Sequence, residues 1–194
     1  MRHCILASAS PRRKEILQQL GVPFEVFVTD VDESTDETSP TLLAEELSAR
    51  KGRAARDMLL ASGRELSGRL IIASDTTVSI DREILGKPKD DADAYRMLRL
   101  LSGRTHRVVS GIYLWMDGKE AVSHAVTEVD FAPLSEQEIN DYIRMGEPYG
   151  KAGSYAIQGI GAALVEKYEG SYSNIVGLPT ELLAEMLKRA GWTK

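Results

Sequence analysis

Cys4-Ile5-Leu6-Ala7-Ser8-Ala9-Ser10-Pro11-Arg12-Arg13 reads as a short apolar strand, a polar turn and the first turn of a helix. Serine is a good N-cap, as at Ser10, and proline is preorganised for the first helical position, as at Pro11. Ile16, Leu17 and Leu20 follow at helical spacing. The two arginines run against the usual order, because the positive end of a helix favours acids and a cation there costs ~0.3–1 kcal/mol. Two readings fit them: a solvated pair, or an anion site where the free N–H groups of the helix and both guanidinium groups are donors.

Outward from this start, Phe24-Glu25-Val26-Phe27-Val28 alternates as a second strand, and the polar stretch from Asp30 to Ser39 is a loop. Ser39-Pro40 repeats the cap-plus-proline signal, so a long helix is expected from about Thr41 to Ala61, with Lys51 and Gly52 in its middle. Leu70-Ile71-Ile72-Ala73 has the continuous apolar character of a strand covered on both faces, and is expected to end at Ser74-Asp75-Thr76-Thr77. Val78-Ser79-Ile80 and Glu83-Ile84-Leu85 form a hairpin pattern, which Gly86-Lys87-Pro88 breaks. A helix over Asp90 to Leu101 precedes two strands, Thr105 to Met116 and Lys119 to Phe131, joined by the turn Asp117-Gly118. Ser135-Glu136-Gln137-Glu138 is a capping box with Ile139, Tyr142 and Ile143 behind it. Gly146 to Gly161 reads as a structured, glycine-rich loop, and Ala162 to Tyr168 and Tyr172 to Val176 flank the turn Glu169-Gly170-Ser171. A last helix from near Pro179 would bury Leu183, Met186, Leu187 and Ala190. The pattern predicts a mixed α/β fold, a partly parallel sheet with helices on its faces, and no repeat or linker separates two independent domains.

With 194 residues, 43% of them hydrophobic, the chain can bury a core as one domain or two joined lobes. A net charge of −5 argues against a general nucleic-acid binder, so an anion site has to be a local cluster of cations. The single cysteine, Cys4, permits no internal disulfide and reads as a packing residue. Met1-Arg2-His3 leads straight into the strand without a signal-peptide pattern, and no apolar run approaches the ~20 residues of a membrane span. A cytoplasmic protein is the expectation.

Several familiar sites are missing. No glycine-rich loop ends in Gly-Lys-Ser or Gly-Lys-Thr, no G-x-S-x-G elbow occurs, and Gly159-Ile160-Gly161 has neither the strand nor the helix that a dinucleotide fingerprint needs. His3, His106 and His124 are too scattered for a zinc motif and are assigned structural roles. What remains is a set of acids and cations at element ends. Asp75 closes a buried strand, where open α/β sheets place ligands, and Glu33 follows another strand. Carboxylates of this kind suit Mg²⁺ or Mn²⁺ shared with substrate phosphates, although Glu33 alone also reads as a solvated loop acid. Arg12, Arg13, Lys51 and Lys87 are candidates for a cationic cradle around a polyphosphate, with Lys51 equally an ordinary surface lysine.

Taken in order, these residues resemble the Maf family of nucleoside triphosphate pyrophosphatases. The resemblance covers nearly the whole chain: Ser8 to Arg13, Val31-Asp32-Glu33, Lys51, Ser74-Asp75-Thr76, Gly86-Lys87-Pro88, Leu101-Ser102-Gly103 with His106, Glu147-Pro148, Lys151 to Gly159 and Val176-Gly177-Leu178-Pro179. It implies a single domain over residues 1–194, built as two lobes around an elongated twisted mixed sheet with a central cleft, similar to the inosine triphosphate pyrophosphatase fold. It further implies hydrolysis between the α- and β-phosphates, a divalent cation as cofactor, and a homodimer. Asp75 matches the family's catalytic acid, as base or metal ligand, and Glu33 joins it as a metal ligand. Arg12, Thr76 and Gln158 match positions tied to substrate choice, and Ser8, Arg13, Lys51 and Lys87 are assigned to substrate binding. Thr76 after the aspartate is similar to the branch acting on dTTP and UTP, where the sister branch preferring 7-methyl-GTP has glutamine. Gly52 departs from the alanine usual after the helix lysine. The alternatives are a 7-methyl-GTP or broad modified-nucleotide pyrophosphatase, and a nucleotide-binding regulator of septum formation.

Overall fold

The run Leu70-Ile71-Ile72-Ala73 lies at the heart of the sheet, fully buried, in a computed structural model that describes residues 4–192. It opens strand β3, Leu70–Ile80. On one side β3 pairs in parallel with β1, Cys4–Leu6, which pairs in parallel with β2, Phe24–Val26. On its other side β3 pairs along most of its length with antiparallel β5, Thr105–Met116. β6, Lys119–Phe131, and β7, Val165–Glu169, continue the sheet antiparallel, and β4, Glu83–Leu85, forms the expected hairpin with Val78–Ile80. The seven strands make one mixed sheet in the order β2-β1-β3-β5-β6-β7, with β4 on β3.

One strand boundary differs from the sequence reading in a way that decides the site. Ser74-Asp75-Thr76-Thr77 does not end β3; the strand runs through it, because β5 pairs with Asp75 at Gly111 and with Thr76 at Ser110. What stops at Ile72 is the pairing with β1, and on that side β3 regains a partner only at Val78, from β4. Among the described residues, positions 73–77 therefore form an open edge inside an otherwise continuous sheet.

Helix α2, Pro40–Ala61, covers one face of the sheet, and the Ser39 hydroxyl caps it by accepting from the Leu42 N–H. Small residues (Ala44, Ser48, Ala49, Gly52, Ala55) alternate with Leu43, Leu47 and Leu59 on its buried face, and the small ones let the helix approach the strands closely. Gly111 on β5 is the matching small residue, since a Cβ there would fall 2.2 Å from the Ala44 carbonyl oxygen. The opposite face carries the larger core, including Leu6, Leu17, Ile72, Leu98, Ile112, Val129 and Phe131. Helices α1 (Pro11–Gln19), α3 (Asp91–Leu101), α4 (Glu136–Arg144), α5 (Tyr172–Val176) and α6 (Thr180–Arg189) pack there. Cys4 is a packing residue of this core, as expected, and burial pushes its thiol up to about 12.

The local signals are largely realised. The α4 capping box has both of its reciprocal bonds, and Asp90 caps α3. Asp117 and Gly118 both adopt positive φ, 48° and 81°, as a tight hairpin turn requires. The glycine-rich loop contains two short 3₁₀ turns, Ala152–Ser154 and Gly159–Leu164, so a helical turn follows Gly159 where the sequence predicts none. His3 lies outside the described residues; His106 is a core residue and His124 pairs with Glu45 at 2.7 Å. No described helix is long and apolar enough to cross a membrane.

Candidate active site

The open edge of β3 faces a cavity of about 550 Å³. Successive side chains of a strand leave opposite faces of the sheet. Asp75 accordingly turns towards α2, where it meets Lys51, and Thr76 turns towards α1, where it meets Arg13. With no strand pairing this edge, both residues line the same cavity.

Ser8, Ala9, Ser10, Pro11, Arg12 and Arg13 form one wall. Ser10 holds the N-cap position of α1 with extended backbone, yet its hydroxyl caps nothing, contrary to the role its residue type suggests, and the first turn carries no acid. The Ser8 hydroxyl instead accepts from the Ser10 N–H at 3.2 Å and from Arg13 at 3.1 Å. A helix N-terminus of this kind has unspent N–H groups and a positive dipole end, both suited to an anion.

The two arginines divide the work. Arg13 is committed to the protein: Nε donates to the Gly177 carbonyl at 2.8 Å, and the two terminal nitrogens donate to Ser8 and, at 3.1 Å, to Thr76. It braces α1 against β3 and the turn after α5. Arg12 is half-buried in the cavity wall, where burial lowers its pKa and the charge of Glu147 opposes that shift. The solvated-pair reading fits neither arginine.

Lys51 reaches from mid-helix to two carboxylates, donating to Asp75 and lying 2.8 Å from Glu33. Burial opposes ionisation of Glu33. The hydrogen bond from Lys51 and the charges of Lys51, Lys87 and Arg13 outweigh it and hold this carboxyl below its ordinary range. Lys87 enters from the turn after β4, and Lys151 lines the cavity from the glycine-rich loop, its ammonium donating to the Glu147 carbonyl at 2.6 Å. Lys151 is a lining residue that its residue type and neighbours do not mark as part of the site, although it lies in a segment that carries the resemblance. Five cationic side chains (Arg12, Arg13, Lys51, Lys87, Lys151) thus face the cavity against two carboxylates, Glu33 and Asp75, in a chain of net charge −5. Local clustering, not the field of the whole protein, makes this cleft positive.

Another part of the wall is apolar: Val78, Val108, Tyr155, Ile157, Ile175 and Val176. Tyr155 is held by His106, whose Nε2 lies 2.8 Å from the Tyr155 hydroxyl, and both rings pack edge-on against Phe131. Burial pushes His106 down to about 4, so the ring is neutral near neutral pH. The Glu147 carboxylate pins the glycine-rich loop by accepting from the Tyr142 hydroxyl at 2.7 Å and from the N–H groups of Ile160 and Gly161. Gln158 is not brought into the cavity wall. Tyr155 and Ile157 of the same segment line the cavity, and Gln158 follows them at a bend just before the 3₁₀ turn that begins at Gly159.

The sequence family described as Maf-like protein matches residues 3–190. The chain belongs to the Maf family. A dTTP/UTP pyrophosphatase of Ruminiclostridium cellulolyticum is 48% identical to it over 193 residues, covering 97% of this chain and 96% of that one. Proteins of the same description from Symbiobacterium thermophilum and Thermococcus onnurineus are 45% and 46% identical, over 99% and 92% of this chain and 96% and 93% of their own. The structure of the Staphylococcus aureus Ham1 protein superposes with a TM-score of 0.55 at 14% identity, covering 97% of this chain and 100% of that one. That likeness bears out the expected fold. The glycine that departs from the Maf pattern, Gly52, has a local cause, because the ring of Tyr113 occupies the space a side chain would need.

Among the described residues no group of three or more His, Cys, Asp or Glu is placed to hold a metal ion. Asp75 and Glu33 nevertheless converge on one cation, the Lys51 ammonium. Two carboxylates so placed fit a small hard dication that takes its other ligands from phosphate oxygens and water.

Proposed function

We propose that this Maf protein hydrolyses dTTP and UTP, and modified pyrimidine nucleotides of the same shape, to the nucleoside monophosphate and pyrophosphate. One observation carries the reading: a single cavity joins a cation-rich helix N-terminus, an apolar wall and the strand edge bearing Asp75 and Thr76. A triphosphate needs the first, a base and sugar need the second, and the names of the Maf relatives point to the same substrates.

In this reading the α1 N–H groups, Arg12, Lys87 and Lys151 take the phosphates. Asp75 orients the attacking water and accepts its proton as the new oxygen–phosphorus bond forms at the α-phosphorus. The bond from that phosphorus to the bridging oxygen breaks, and pyrophosphate leaves with the electron pair, its charge met by the cationic wall. Lys51 keeps Asp75 and Glu33 aligned. Asp75 and Glu33 would hold Mg²⁺ or Mn²⁺, which supplies Lewis-acid polarisation and a more acidic water when bound. A cytoplasmic location and a homodimer belong to the same reading: the free, buried cysteine is in keeping with a reducing compartment, and the dimer rests on the family resemblance.

The test is pyrophosphate release from dTTP, UTP, CTP, 7-methyl-GTP and ITP, with and without Mg²⁺ or Mn²⁺. Metal-dependent release from dTTP and UTP above the others is the expected result. A preference for 7-methyl-GTP would overturn the substrate assignment, and binding without release from any of the five would favour a regulator.

A further inference from the structure

The Thr76 hydroxyl stands at one end of a buried hydrogen-bond chain in which every proton can be assigned. Ser110, fully buried on β5 opposite Thr76, has one hydroxyl proton, and it goes to the Asn174 backbone carbonyl at 2.9 Å, which can only accept. Thr76 Oγ1 lies 2.9 Å from Ser110 Oγ, so Thr76 must be the donor in that pair. Arg13 can only donate, and it donates to the same Thr76 oxygen. Thr76 has thereby spent its proton and one lone pair, and a single lone pair remains uncommitted.

The rest of the chain keeps Ser110 from turning. Asn174 accepts from the Ser110 N–H at 3.1 Å through Oδ1, and its amide donates to the Val108 carbonyl and to Thr127 at 3.0 and 2.9 Å. Thr127 passes its own proton to the Ser171 carbonyl. The orientation of the Asn174 amide is therefore dictated by its neighbours, with donors and acceptors matched at each step.

We propose that Ser110 is a positioning residue for substrate choice, which takes the Thr76 proton and leaves Thr76 able only to accept a hydrogen bond from the base. This rests on the reading that the cavity takes dTTP and UTP. Uracil and thymine present one donor, N3–H, between two carbonyl acceptors, whereas cytosine carries an acceptor at N3. At the N3 position, an acceptor-only Thr76 matches the first and opposes the second. Removing the Ser110 hydroxyl frees the Thr76 proton to turn and serve cytosine N3.

The experiment compares kcat/KM for dTTP and dCTP in the wild type, Ser110→Ala, Thr76→Val and the double variant. The dTTP:dCTP ratio is expected to fall about three- to tenfold in Ser110→Ala, the worth of roughly one hydrogen bond. In the Thr76→Val background, Ser110→Ala should then change the ratio no further. The ratio does not depend on how much enzyme is folded. Ser110→Cys, whose sulfur keeps a weak acceptor for the Thr76 proton and a weak donor for the Asn174 carbonyl, should restore part of it and serves in place of an alanine variant that fails to fold. An unchanged ratio in Ser110→Ala, or an effect that persists undiminished beside Thr76→Val, would overturn the proposal. A wild type that releases no pyrophosphate from dTTP would overturn the underlying reading instead.

Discussion

The ring of Tyr113 lies against Gly52 so closely that a Cβ at position 52 would sit 2.0 Å from Tyr113 Cδ1. Tyr113 is fully buried between α2 and the sheet, and its hydroxyl is tied to Glu120, which leaves the ring little room to give way. Glycine inside a helix costs about 1 kcal/mol against alanine. That cost is offset by an approach of helix to strand that carries the preceding residue, Lys51, to Asp75.

Gly52→Ala should therefore destabilise the protein by about 1–3 kcal/mol despite alanine's better helix propensity, because overpacking outweighs it. Urea unfolding measures this. Adding Tyr113→Leu should recover part of the loss, and a stabilised Gly52→Ala protein would refute the account.

Asp75→Asn preserves volume and removes the charge and the proton acceptor. Turnover should fall by about 10²–10⁴-fold, the usual worth of a general base, with far-ultraviolet circular dichroism unchanged. Near-normal pyrophosphate release from the folded variant would remove Asp75 from the chemistry.

Arg13→Lys keeps a positive charge and loses the planar fork that joins Ser8, Thr76 and Gly177. A lysine cannot meet three acceptors in those directions. We expect a loss of about 1–3 kcal/mol in stability, read by denaturant titration, together with weaker substrate discrimination through the displaced Thr76.

His106 should make the protein acid-sensitive. Its folded pKa is about 4 against an ordinary 6.5, because burial disfavours the charged ring. Between those values the unfolded chain binds a proton that the native core excludes, so stability falls as pH drops through this window. From about pH 7 to about pH 5 the wild type should lose on the order of 2 kcal/mol through this group. His106→Gln keeps a polar partner near Tyr155 without titrating there. Urea unfolding at the two pH values should show the difference in slope, and equal slopes would rule out His106 as its source.

Elements governed by local chemistry were legible in the sequence. The Ser135 capping box, the Asp117-Gly118 turn and the apolar Leu70–Ala73 run each carry their own signal in adjacent residues. The continuation of β3 through Asp75 was not, because the force that keeps four polar residues extended is the pairing with Gly111 and Ser110 on another strand. Distance in sequence hid the role of Arg13 in the same way, since its Nε partner, Gly177, lies 164 residues away. Ser110 and Asn174 look like ordinary strand and helix residues until their protons are counted. Acids and cations could be picked out by type and order, and the resemblance to the Maf family collected them; which of them brace and which face the cavity emerged only from the packed structure.

Asp75 and Thr76, consecutive residues that reach Lys51 on one face of the sheet and Arg13 on the other, make β3 a ruler. Deleting Ala73 or Ser74, with the pairing to β1 kept up to Ile72, would move each following residue one place back along the strand and so to the opposite face. The carboxylate would be carried to the Arg13 side and the hydroxyl to the Lys51 side, each among the wrong partners. The length of this segment is constrained as tightly as the identity of Asp75 and Thr76 within it.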